Sequence, residues 1–484
     1  MSAFASPDSV LSRWAAFEEL RTSLAGGAPC LEATGLWGSS RALVIAGLAH
    51  GAGRPILLVT AGPVERHRGA VDIGFFLSSL ALGTAAREGA AGRRVLELPA
   101  PESGSNRGGR NREQAAERAL CCYALIEGGG LVIVATPSAL SAALLTPEEF
   151  VGRTGRLAVG QSISRDELLF LLGRAGYERV ETVVEVGQWS LRGGIVDVFS
   201  PARERPVRAE FLGDEIESLR LFDPTTQRSV DAVAEIEVLP LLTKDAETAT
   251  VTAYLPANTL VTLEDPALLE APPDDAPAAV PLHRLLEGYQ RLEMPLLSRR
   301  SGGPARIDMG TRSVGAVRGQ FKALAEEIKG WREEGFAVRL AVDDDRQAER
   351  VRQTLVEHEL EPWPGATLWS PEGLGVIVGE CGSGFQLPAL GLVLLSEREV
   401  FGAQRRRLRR PLFQRGAAIA AFTDLAPNDL VVHEDHGIGR YHGLRTLRTD
   451  ERDADFLLLE YAEGGRLYLP VARLDLITKY MGAP

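Results

Sequence analysis

The sequence predicts a multidomain chain of α/β and α+β units that ends in a small β-barrel. Three observations carry this. Short apolar runs alternate with helical stretches before residue 150 and again between 305 and 404, the rhythm of a parallel sheet covered by helices. Between residues 153 and 242 the runs are β-rich and separated by Gly, Pro and Asp-Pro turns, as in an antiparallel meander. Residues 425–484 hold mainly short β-runs, of the size that closes into an SH3-like barrel.

At 484 residues the chain has room for three to five domains of roughly 100 to 150 residues each. Apolar residues at 45% and charged residues at 24% are ordinary for a soluble globular protein with a sizeable core. A net charge of -12 excludes a protein that coats nucleic acid with most of its surface, leaving only a local basic patch for phosphates. Cys30, Cys121, Cys122 and Cys381 show no C-x-x-C spacing, which fits a reduced, cytoplasmic setting. The N-terminus lacks a compact apolar segment, and nowhere do about 18 apolar residues run together, so neither export nor membrane insertion is expected.

Residues 1–152 form the first α/β unit, with strands at "RPILLVT" and "GLVIVAT" and a Gly/Ser/Arg-rich loop, "PAPESGSNRGGRNREQ", between them. Within it, "ATGLWGSSRALVIAGLAHGAGRPILLVTAG" at 33–62 reads as strand end, glycine loop, helix and second strand, the layout of a P-loop. A working P-loop, G-x-x-x-x-G-K-[S/T], cradles phosphates with backbone N–H groups, reaches them with a lysine and holds magnesium with a hydroxyl. Gly35 fits the first glycine, and Gly38 and Ser39 fall inside the loop. Ser40 stands where the second glycine belongs, Arg41 replaces the lysine and Ala42 replaces the hydroxyl residue. The loop is therefore degenerate. It reads either as a weak anion site, drawing on Arg41 and the helix N-terminus, or as a turn that packs a helix on a sheet. Hydrolysis is not expected without a magnesium ligand or a Walker B carboxylate.

Residues 153–242 open with "SISRDELLFLLGRAGYERV", where Ser164 and Glu167 make a capping box ahead of a helix ending near Gly176. The meander follows. Residues 243–304 are rich in Pro and Ala and read as a return segment and connector packing on the first unit, with "EAPPDDAPAAVP" at 270–281. Residues 305–404 form a second α/β unit of unassigned role. "RRRLRR" opens an arginine-rich linker over 405–424, where Arg405, Arg406, Arg407, Arg409 and Arg410 either grip nucleic-acid phosphates or stay solvated. In the barrel, "ARLDLITKY" reads as a short closing helix. "HEDH" at 433–436 lacks the H-E-x-x-H spacing, and "DDD" at 343–345 suits a helix start. No metal site is expected, and no hydrolase motif occurs.

Two stretches carry a family resemblance. "GQWSLRGGIVDVFSPARERPVRAEFLGDEIESLRLFDPTTQRSV" resembles the domain shared by the excision-repair helicase UvrB and the bacterial transcription-repair coupling factors. "NDLVVHEDHGIGRYHGLRTL", with "LYLPVARLDLITKYMG", is similar to the polymerase-interacting barrel of those factors and of CarD-type regulators. "GSGFQLPALGLVLLSEREVFG" also resembles the end of the factors' third domain. In this order they resemble the N-terminal, non-motor half of the coupling-factor family: a UvrB-like degenerate P-loop module, a UvrA-docking α+β domain, a small α/β domain and a CarD-like SH3/Tudor-like barrel.

The resemblance implies a transcription-coupled nucleotide excision repair adaptor. It places UvrA contacts at Arg192, Arg208 and Leu212, and contacts to the RNA polymerase β subunit at Leu447, flanked by Arg445 and Arg448. Patterning alone leaves Leu447 equally able to face the core. Family members continue past the barrel into a double RecA-like translocase, which meets damaged or upstream DNA and uses ATP and magnesium. No D-E-x-H box or intact Walker A occurs here, so neither cofactor nor catalysis is expected of this chain. The rivals are an ATP-dependent DNA translocase, which is the family's full activity, and a CarD-like transcription regulator.

Overall fold

The structure, a computed structural model, describes residues 10–51, 53–81, 94–101, 108–128, 131–241, 248–269, 281–296, 304–315, 321–401, 429–433, 437–449, 452–460, 466–470 and 477–479. It divides into two compact units. One combines Met1–Thr154 with Leu239–Arg410, and the other combines Gly155–Val238 with Pro411–Pro484.

A seven-stranded parallel sheet organises the first unit. Its order is Ala305–Asp308, Cys30–Thr34, Gln290–Met294, Leu260–Glu264, Ile56–Val59, Leu131–Ala135 and Arg94–Leu98. Ile56–Val59 and Leu131–Ala135 are buried at every position, as strands covered on both faces must be. The return segment supplies two interior strands, which fill the gap between Cys30–Thr34 and Ile56–Val59. The boundary expected at residue 305 is corrected. Ala305–Asp308 is the edge strand of this sheet, paired with Leu31–Thr34, because the open edge of Cys30–Thr34 has backbone groups to satisfy.

A second, four-stranded sheet runs in the order Leu374–Val378, Ala337–Val342, Leu392–Ser396 and Phe385–Leu387, parallel except for the last pair. The helices Phe321–Glu333 and Asp345–Glu357 bury Leu324, Ile328, Val351 and Leu355 against Val338 and Leu340. Phe385, Leu387, Leu392 and Leu394 instead join the core that contains Ile73 and Phe76, with the Phe76 and Phe385 rings 6.2 Å apart. The two sheets thus share one apolar interior. Arg339 is fully buried in the middle of the second sheet. It donates to the carbonyls of Val338, Thr367, Ser370, Glu372 and Gly373, and burial lowers its pKa to about 10.

Residues 155–238 form a six-stranded sheet in the order Ser229–Ala232, Glu215–Phe222, Val207–Leu212, Ile195–Val198, Gln188–Arg192 and Glu178–Arg179, antiparallel except for the last pair. The helix Arg165–Ala175 starts at the expected capping box. Ser164 Oγ accepts the Glu167 N–H at 3.2 Å, and the Glu167 carboxylate accepts the Ser164 N–H at 2.9 Å. It stops at Gly176, whose φ of +88° suits glycine.

Residues 429–479 contain an antiparallel sheet in the order Arg466–Pro470, Arg452–Glu460, Gly437–Thr449, Leu430–His433 and Ile477–Lys479. The closing helix read from "ARLDLITKY" is corrected at its end. Ile477–Lys479 is a strand paired with Val431–His433, because sheet pairing outweighs the local helical spacing. Among the described residues no helix is long and apolar enough to cross a membrane.

Candidate functional site

The phosphate-loop sequence does form a strand–loop–helix turn, from Cys30–Thr34 into the Ser40–Gly51 helix, but protein atoms occupy the Trp37, Ser39 and Ser40 N–H groups. The Trp37 N–H donates to Thr311 Oγ1 at 2.9 Å, the Ser39 N–H to the Ser383 carbonyl at 3.1 Å and the Ser40 N–H to the Trp37 carbonyl at 3.1 Å. Thr311 also closes on the Gly35 carbonyl through its hydroxyl at 2.7 Å. Gly35 and Gly38 have φ of +64° and +55°. A Cβ on Gly35 would strike the Asp308 carboxylate, and one on Gly38 the Gly384 carbonyl.

The 382–384 turn is held from both sides. Asp72 accepts Ser39 Oγ at 2.6 Å and the Gly382 N–H at 2.6 Å, while Ser39 Oγ accepts the Ser383 N–H at 3.1 Å. Glu399 accepts the Gly384 and Ser396 N–H groups at 3.0 and 2.8 Å. Burial pushes the Asp72 pKa up to about 6, opposed by the hydrogen bonds from Ser39 and Gly382 and by the nearby Arg68. Of the two readings of this loop, the packing turn fits Arg41, whose guanidinium meets Glu264 at 2.8 Å and Asp265 at 3.2 and 3.3 Å. Ala42 is buried. A cleft of about 200 Å³ remains beside the loop, lined by Ile45, Leu58 and Met294 with Arg41, Asp72 and Glu264. Asp72, Thr311 and Ser383 lie far from the loop in sequence, and no motif spacing marks them.

The second candidate is the polar face of the six-stranded sheet. Alternation and register place Arg192, Asp197, Arg208 and Glu210 on one face. Asp197 is 1% exposed and draws both arginines together. Arg208 Nε and Nη2 donate to its two oxygens at 2.8 and 2.9 Å, and Arg192 Nη2 donates to Oδ2 at 2.9 Å. The Arg208 guanidinium also lies 4.7 Å from the centre of the Phe222 ring, and its Nη1 reaches the Gln227 carbonyl at 3.3 Å. Within the chain the Arg208 fork is thus taken up by Asp197. The Arg192 side chain is half exposed, and Leu212 is 71% exposed. Sequence reasoning missed Asp197, although a carboxylate in the otherwise apolar run "GIVDVF" was a signal.

In the C-terminal sheet, the strand Gly437–Thr449 carries Arg445, Leu447 and Arg448 opposite Phe456, Ala454 and Asp453. Arg445 is exposed. The side chains of Leu447 and Arg448 lie outside the described residues, as do Arg405, Arg406, Arg407, Arg409 and Arg410. Asp344 caps its helix by accepting the Gln347 N–H at 2.8 Å, and no group of His, Cys, Asp and Glu able to hold a metal occurs among the described residues.

With this geometry in place, two family descriptions match the chain: the UvrB interaction domain over residues 156–242 and the CarD-like/TRCF RID domain over residues 425–481. Their pairing defines a class of protein with a repair-protein interaction module followed by a CarD-like module. The transcription-repair-coupling factor of Myxococcus xanthus is 30% identical, with 93% of this chain and 45% of the relative covered. That of Bacillus subtilis (strain 168) is 24% identical over the same shares, and that of Staphylococcus aureus (strain USA300) is 24% identical over 76% of this chain and 39% of the relative. These matches run along nearly the whole of this chain and support its being similar to the N-terminal half of a transcription-repair-coupling factor. The chain spans less than half the length of these curated relatives.

Proposed function

We propose that this chain is an adaptor in transcription-coupled nucleotide excision repair, joining RNA polymerase to UvrA. The observation that carries this reading is the presence of the UvrB interaction domain and the CarD-like/TRCF RID domain in one chain. The UvrA face centres on Arg192 and Leu212, with Arg208 behind them. A half-exposed guanidinium and an exposed leucine on one sheet suit a partner that offers a carboxylate and an apolar group. Residues 425–484 form the SH3/Tudor-like barrel that meets the polymerase β subunit, with Leu447 as the apolar contact and Arg445 and Arg448 beside it. Damaged DNA is met mainly through motor segments of the full family protein. The loop at Gly35–Ala42 supports a reading without ATP hydrolysis, since its Trp37, Ser39 and Ser40 N–H groups and the two Nη atoms of Arg41 are already paired.

Bead capture of UvrA by residues 1–484 tests the first contact. Arg192→Glu with Leu212→Asp is expected to cut capture about tenfold or more, and undiminished capture would remove this face from the reading. A two-hybrid assay with the β subunit tests the second: Leu447→Arg is expected to lose the signal, and a retained signal returns Leu447 to the core.

A further inference from the structure

We infer that Asp197 is the positioning residue of the UvrA-docking face, setting the orientation of both arginines from beneath. The inference rests on the proposed UvrA reading and deepens it. Asp197 is buried in the strand Ile195–Val198, flanked by Arg208 on one neighbouring strand and Ser190 on the other. A lone carboxylate there would be costly, and the two guanidinia supply its partners. They converge on the same oxygen, Oδ2, at 2.9 Å each, while Arg208 alone takes Oδ1 at 2.8 Å.

The arrangement has a direction. Arg208 is locked by its bidentate pair, by the Phe222 ring and by the Gln227 carbonyl, so it has little freedom to swing outward. Arg192 is held through Nη2 only and remains half exposed. The two positive groups would repel one another if the shared carboxylate were absent. Asp197 therefore holds Arg192, half exposed, on the face it shares with Arg208, and one partner carboxylate can join it without first ordering a flexible side chain.

This assigns Asp197 an effect opposite in sign to its simple charge. Removing the negative group between two arginines should strengthen attraction to a partner carboxylate if the arginines act only as charges. If Asp197 positions them, its loss weakens binding.

The test is the affinity of residues 1–484 for UvrA, with thermal unfolding as a fold control. Asp197→Asn is expected to weaken binding about tenfold, and to cost less than about twofold in a chain already carrying Arg192→Ala and Arg208→Ala. Arg208→Lys keeps the charge and the exposed surface but loses the fork, and is expected to weaken binding severalfold. Unchanged or tighter binding by Asp197→Asn overturns the inference. Should that variant fail to fold, wild-type affinity in Arg208→Lys overturns it instead. The underlying UvrA reading fails separately: Arg192→Glu with Leu212→Asp would then bind like wild type.

Discussion

Asp72 shows how one buried group can set a pH response. Its pKa is raised from 3.8 to about 6 by burial, so the folded chain holds this proton more tightly than the unfolded chain. The contribution favours the fold fully below about pH 4 and is lost as pH rises through about 6. The size is of order 3 kcal/mol. Asp72→Asn is expected to flatten the fall in urea midpoint of the first unit between pH 4 and 7, and an unchanged slope would remove Asp72 as its source. Gly38 makes a steric prediction beside it. With φ of +55° and the Gly384 carbonyl against the position of a Cβ, Gly38→Ala is expected to destabilise the first unit by about 1–3 kcal/mol, read from the same urea titration.

At the scale of elements, the capping box at Ser164 and Glu167 is a local device. Ser164→Ala is expected to cost about 1 kcal/mol of stability in the 155–238 sheet domain, and a change under 0.3 kcal/mol by denaturant titration would contradict it. This helix was legible because all its signals, from Ser164 to Gly176, lie within a few turns of sequence. So were Ile56–Val59 and Leu131–Ala135, whose unbroken apolar runs are specific to covered parallel strands. Ile477–Lys479 was not legible, because only its pairing with Val431–His433 makes it a strand. The sites divide in the same way. Sequence marked Ser40, Arg41 and Ala42 as departures from the P-loop pattern, whereas Ser383, Thr311 and Glu264, which pair with groups of the loop, come from distant parts of the chain. The arginines of the proposed docking face could be named from resemblance, but their shared tie to Asp197 needed cross-strand register.

For the whole molecule, the proposed adaptor reading makes binding rather than ATP turnover the expected property of residues 1–484. Purified residues 1–484 are expected to show no DNA-stimulated ATP turnover, measured by phosphate release. Robust turnover that disappears in Arg41→Ala would overturn this.

The strand order of the first sheet also bears on how the chain is made. Cys30–Thr34 lies between Gln290–Met294 and Ala305–Asp308, so its neighbours are synthesised only after the whole 155–238 domain has left the ribosome. At about 5–20 residues per second this separation is tens of seconds. During that time Cys30–Thr34 has no native neighbour on either side and Ile56–Val59 lacks one of its two, while the inserted domain, with its strands pairing close along the chain, can already fold. Biogenesis therefore asks for protection of an unfinished parallel sheet, and synonymous codon changes that slow elongation between residues 240 and 308 should lower the soluble yield more than the same slowing after residue 310.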